Sequence, residues 1–263
     1  MQCRSNFYQY TVCHLNRIQE SIRETRSISI IEFSHQGPES LRVGVIVADG
    51  VSVSRYADSF ESDLADLLEA RHDELDNSLD TWRREIRDVF RNGKFKPTGR
   101  GKPASEYLLG AARKDAFPRI NSIVDACNYV SLRFVLPISV CDLDRAGADR
   151  FMVRLGLPDE EYVFNTTGQT INVEDLIVGC SVSADGSSRP IINAVKDSMG
   201  SKTTPESSRI FALLYAPKSD SEERLANATS VFEQLLGACG DSVKTTSAVV
   251  TPGVSIVLDV ASS

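Results

Sequence analysis

A chain of 263 residues, 41% of them apolar, has ample material for a core, built as one large domain or two small ones. Its net charge of −7 argues against indiscriminate nucleic-acid binding, and no apolar run approaches the ~18 residues of a membrane-spanning helix. The opening stretch MQCRSNFYQYTVCHLNRIQE lacks the apolar centre of a secretory signal, so a cytoplasmic location is expected, and six scattered cysteines without a C-x-x-C pair are expected as free thiols.

Residues 1–26 show no firm periodicity and are expected as an N-terminal arm or extra helix outside a single domain over 27–263. SISIIEF (27–33) and LRVGVIV (41–47) predict strands, the second alternating around Arg42, joined by the turn-forming HQGPES. Leu64, Leu67, Leu68 and Leu75 predict one amphipathic helix from Ser59, and Trp82, Ile86, Val89 and Phe90 predict another. The loop NGKFKPTGRGKP (92–103) follows, and then a short helix from Ser105 to Arg113.

Apolar residues Ile120, Ile123, Val124, Cys127, Val130 and Phe134 next recur at three- and four-residue spacing, which predicts a helix with one buried side. Asn121, Asp125 and Asn128 form a second, polar stripe on that helix, so the stripe should border something polar. Asn121 or Ser122 can cap its start, and Pro137 stops it.

Beyond Asp144 the pattern becomes mainly β, with short apolar runs at 151–155, 161–164, 176–180, 191–195, 209–215 and 254–260. Ser219 and Glu222 read as a capping box before a helix carrying Leu225, Ala228, Phe232, Leu235 and Leu236. Strand runs interrupted by helices give an α+β fold class.

Arg83 to Arg119 holds eleven Lys or Arg against four acids on an otherwise acidic chain, which suits a localised polyanion site or an ordinary solvated face. The basic loop is not a phosphate-binding P-loop: Pro103 follows Gly101-Lys102, and a helix precedes the loop where a strand is required. His14, His35 and His72 are isolated, so no metal is expected, and no nucleophile-elbow, zinc-protease, dinucleotide or kinase motif is present.

The stretch NSIVDACNYVSLRFVLPISVCDLDR resembles the signature of the B3/B4 domain of the phenylalanyl-tRNA synthetase β subunit through Asn121, Val124, Asp125, Asn128, Tyr129, Val130, Leu132, Pro137, Asp142 and Asp144. The resemblance extends over about residues 28 to 260. It implies a free-standing B3/B4-type protein whose layered sheets pack against helices, with tRNA or aminoacyl-tRNA as partner and no cofactor. In the synthetase this region hydrolyses tyrosine wrongly attached to the phenylalanine tRNA. The implied function is therefore tRNA binding, with hydrolysis of mischarged aminoacyl-tRNA in trans if the chain is an enzyme. The alternative is a non-catalytic module that binds a small amino-acid-like ligand in the same pocket.

Carried over by position, the resemblance puts Asn128 in the substrate pocket, with Asn121, Asp125, Ser139, Lys196, Asp197 and Lys202 as further pocket candidates. Asn121 and Asp125 could instead serve as helix caps, and the Lys196–Lys202 loop as a solvated turn. Arg91, Lys94, Lys96, Arg100, Lys102 and Arg119 are the candidates for phosphate contact, without base reading. Bacterial synthetases commonly carry Thr and His where this chain has Cys127 and Ser139, so catalysis and the amino acid stay open.

Overall fold

The computed structural model describes residues 30–73, 75–220 and 222–260. The N-terminal arm, the start of the strand expected at 27–33 and two of the six cysteines lie outside the described residues. Among the described residues the fold is α+β, with two larger sheets and a hairpin.

Strands β1 (Ile30–His35), β4 (Arg150–Leu155), β7 (Ile177–Val182), β8 (Ser188–Asn193) and β11 (Ser255–Asp259) form a five-stranded sheet in the order β11-β1-β4-β7-β8. Its β1–β4 pair is parallel and its other pairs are antiparallel. Strands β2 (Leu41–Asp49), β3 (Ile138–Asp142), β9 (Arg209–Pro217) and β10 (Lys244–Val250) form an antiparallel sheet in the order β10-β2-β9-β3. Short strands β5 (Glu161–Val163) and β6 (Thr170–Asn172) make the hairpin.

The two larger sheets pack face to face through aromatic rings. Phe211 of β9 stacks on Phe151 of β4 at 4.4 Å and tilts against Phe33 of β1 at 6.1 Å. Gly179 of β7 permits this approach, since a Cβ there would lie 2.6 Å from Ile192 and 2.9 Å from Leu213. The other face of the four-stranded sheet is covered by α6 (Glu222–Gly237), whose Thr229 hydroxyl sits where a Cβ on Gly44 would fall. Covered on both faces, β2 is buried through most of its length, so the alternation expected around Arg42 is absent.

Helices α1 (Phe60–His72), α2 (Asn77–Val89), α3 (Ala104–Ala112) and α4 (Ser122–Phe134) precede β3, and the short α5 (Leu143–Ala146) follows it. Asn121 caps α4 by accepting the Val124 N–H at 3.0 Å, and Val135 ends it in a left-handed conformation with φ 53°. The last carbonyls of α4 receive donors from α1 and α2: Arg71 Nη2 donates to the Arg133 carbonyl at 2.9 Å and Trp82 Nε1 to the Phe134 carbonyl at 3.0 Å. This central helix is thus tied at each end, and most of its surface is buried. At α6, the Asp220 carboxylate accepts the Leu225 N–H at 3.1 Å, while the Glu222 side chain of the expected capping box lies outside the described atoms.

Candidate functional site: a lysine-flanked cavity beside the central helix

A cavity of about 450 Å³ opens between α3, α4, β3 and the segment that follows β8. Leu108, Val124, Cys127, Ile138, Val140 and Val195 give it apolar walls. Asn128, Asn193, Lys196, Asp197, Lys202 and Thr203 supply its polar groups. The volume lies within the range of small-molecule pockets.

Asn193 shapes the polar side, although nothing in its sequence neighbourhood sets it apart. Its Oδ1 accepts the N–H groups of Val195 and Lys196 at 2.7 and 2.8 Å, bending the chain back towards β8. Its own N–H donates to Asp197 Oδ1 at 3.1 Å, and its Nδ2 donates to the Tyr162 hydroxyl. That hydroxyl donates to the Lys196 carbonyl at 2.7 Å. From β3, Ser139 Oγ donates to the Asn193 carbonyl at 2.8 Å. The hairpin also carries Phe164, whose ring lies under Lys196 Nζ at 4.0 Å and whose carbonyl accepts Lys202 Nζ at 2.7 Å.

The electrostatics are dominated by Asp197. Burial pushes its carboxyl up to about 7, against the downward pull of the Asn193 N–H and, more weakly, the Lys202 charge. A carboxyl balanced between its two forms near neutrality can pass a proton in either direction. Burial likewise pushes the Cys127 thiol far up, which removes the thiolate a nucleophile needs. The Asn128 amide is half-buried at the cavity wall and has no hydrogen-bond partner among the described residues.

Of the seven pocket candidates, Asn128, Lys196, Asp197 and Lys202 line the cavity together. Asn121 stands behind it as the α4 cap, with its Nδ2 on Thr203 Oγ1 at 3.0 Å. Ser139 is fully buried and supports Asn193 from below. Asp125 turns away: it accepts Tyr56 Oη at 2.9 Å, Arg119 Nε at 2.7 Å and the Ile120 N–H at 2.7 Å. The polar stripe on the helix is therefore split among a cap, a clamp and a cavity wall. Ile120, expected on the buried stripe, precedes the helix and is 67% exposed, because the clamp holds its backbone outside the α4 turn.

The basic candidates divide as well. Arg119 pairs with Glu61 and Asp125, Lys94 with Glu174 at 2.8 Å and Arg91 with Asp88 at 3.3 Å. Arg83 and Arg87 are both drawn to the nearly buried Glu106 of α3. Lys96, Arg100 and Lys102 are exposed and have no ion pair among the described residues. Lys102 faces a second, polar hollow of about 430 Å³ that Arg83, Glu106 and Arg113 also line.

Among the described residues no three His, Cys, Asp or Glu side chains group as a metal site would require, and no helix is long and apolar enough to cross a membrane. The described residues form an α+β domain that holds a lysine-flanked cavity. The chain belongs to the B3/4 domain family, whose model matches residues 97–230 and so includes every residue lining the cavity. An N-terminal fragment of the phenylalanyl-tRNA synthetase β-subunit from Pyrococcus horikoshii is similar at 12% identity and a TM-score of 0.37, over 46% of this chain and 40% of that one. The chain thus spans less than half the length of that fragment. No curated protein sequence matches.

Proposed function

We propose that this protein binds the aminoacyl end of a tRNA in the cavity and hydrolyses the ester of a mischarged amino acid in trans. The observation that carries this reading is the convergence of the unpartnered Asn128 amide with Asp197, Lys196 and Lys202 around a space of amino-acid size. The apolar walls receive the amino-acid side chain, and Asn128 Nδ2 donates to the ester carbonyl. Ionised Asp197 takes a proton from a water as its oxygen bonds to the carbonyl carbon. The negative charge that develops on the carbonyl oxygen is met by Asn128 and the Lys202 ammonium. Breaking the carbon–ribose oxygen bond returns that proton to the ribose, which frees the tRNA and the amino acid. Lys96, Arg100 and Lys102 remain available for phosphates outside the cavity.

A second reading, a non-catalytic module for a free amino acid, is favoured by the internal pairing of Arg91, Lys94 and Arg119, which leaves less charge for RNA. Deacylation of a panel of correctly and wrongly charged tRNAs separates the two. We expect one ester to be cleaved by the wild type and spared by Asn128→Ala and Asp197→Asn. Decay of every ester at the buffer rate, with a free amino acid still bound, would establish the second reading.

A further inference from the structure

The two most exposed large apolar side chains among the described residues are Tyr107, at 68%, and Ile120, at 67%, and both line the same cavity. Exposure of one such group is ordinary, whereas two at the rim of one pocket make a local apolar surface that water covers poorly. Each is rigidly held. Tyr107 stands on α3, whose Glu106 is gripped by Arg83 and Arg87 and whose Ala104 N–H donates to the Ala194 carbonyl at 2.8 Å. Ile120 is fixed by its N–H on the fully buried Asp125, which also accepts Arg119 and Tyr56. The Tyr107 ring and hydroxyl have no aromatic or polar partner among the described residues. An aromatic face and an aliphatic edge at a cavity mouth match a flat ring such as a nucleobase.

We propose that Tyr107 and Ile120 form a clamp that stacks on the base of the terminal nucleoside while its attached amino acid occupies the cavity. This inference rests on the aminoacyl-tRNA reading of the pocket and adds to it the residues that hold the base. Stacking on Tyr107 is sequence-tolerant, so the clamp favours any base over none and reads no hydrogen-bond pattern. The same clamp sets the depth to which the ribose enters, and hence the position of the ester beside Asn128.

The test is equilibrium binding of two uncharged RNA minihelices, one ending in CCA and one with the last base replaced by an abasic ribose. Wild-type protein should prefer the complete minihelix about tenfold, the scale of one aromatic–base stack. Tyr107→Ala should lose that preference and Tyr107→Trp should keep it, while thermal melts of both variants stay with the wild type because the side chain is exposed. Equal binding of the two minihelices by the wild type would overturn the clamp and leave the tRNA reading standing. Absence of any binding to either would overturn both. Retention of the preference in Tyr107→Ala would likewise exclude Tyr107 as the stacking residue.

Discussion

Arg119 Nε donates to the fully buried Asp125 carboxylate at 2.7 Å across the start of the central helix, while the same guanidinium grips Glu61 of α1 at 2.6 Å. Its ring contacts with Tyr56 and Phe60, at 5.6 and 5.7 Å, complete a structural clamp. Asp125→Ala leaves the Ile120 N–H and the Tyr56 hydroxyl without their acceptor. A loss of about 2–4 kcal/mol is expected, at the low end for a broken buried pair because Arg119 is partly solvated. Urea unfolding checks this, and an unchanged midpoint would show that the clamp does not hold the helix.

The Asp197 carboxyl gives the chain a specific pH signature. Its value rises from about 4 in an unfolded chain to about 7 when folded, so the folded state holds the extra proton between those limits. Its stabilising contribution is complete below pH ~4 and is lost as the pH rises to about 7. Asp197→Asn should remove this slope, and the difference between variant and wild type cancels every other titrating group. If Asp197 is the base, hydrolysis should also rise with pH through about 7 in the wild type alone.

Asn128 and Asn193 border the same cavity and should fail differently. Asn128→Ala removes a group with no protein partner, so ligand binding should fall by about tenfold with the melting temperature unchanged. Asn193→Ala strips the acceptor from two backbone N–H groups and a donor from Tyr162. Destabilisation of about 2–3 kcal/mol should accompany its loss of binding. Parallel melts and ligand titrations resolve the two, and a melting shift in Asn128→Ala would contradict its free amide.

Charge reversal should sort the basic residues by their pairing. Lys96→Glu, Arg100→Glu and Lys102→Glu together should weaken minihelix binding by at least tenfold and flatten its dependence on salt. Arg91→Glu and Lys94→Glu should change binding less, because Asp88 and Glu174 already engage those cations. Equal effects from the two groups would mean that the internal pairs open to bind RNA.

Adding a methyl group at Gly179 tests the approach of the two sheets. Gly179→Ala places its Cβ within 3 Å of Ile192 and Leu213, both buried, and should cost about 1–3 kcal/mol. Chemical denaturation measures that cost, and a neutral result would show that the sheets can separate slightly.

The extent and ends of the central helix were legible because Asn121, the three- and four-residue apolar spacing and Pro137 act over short range. Asn128 was singled out by its place in the B3/B4-like stretch, whereas Lys196, Asp197 and Lys202 could equally have formed a solvated turn, and only the folded chain brings the four to one cavity. Strands β3, β6 and β10 were missed: β3 is a short, wholly buried run directly after the helix stop, β6 has three residues, and β10 opens on the polar run Lys244-Thr245-Thr246-Ser247 without alternation.

Local sequence determined an α+β chain, a capped central helix and a basic segment, since propensity, capping and charge are properties of neighbours in sequence. Tertiary structure decided which of those charges stay free, because Glu61, Glu106 and Glu174 reach their cations from distant elements. It also turned Asp125 into a clamp, made Asn193 the support of the lysine loop and brought Asp197 to neutrality by burial. Each outcome depends on hydrogen bonds and desolvation between segments far apart in the chain, which no local pattern records.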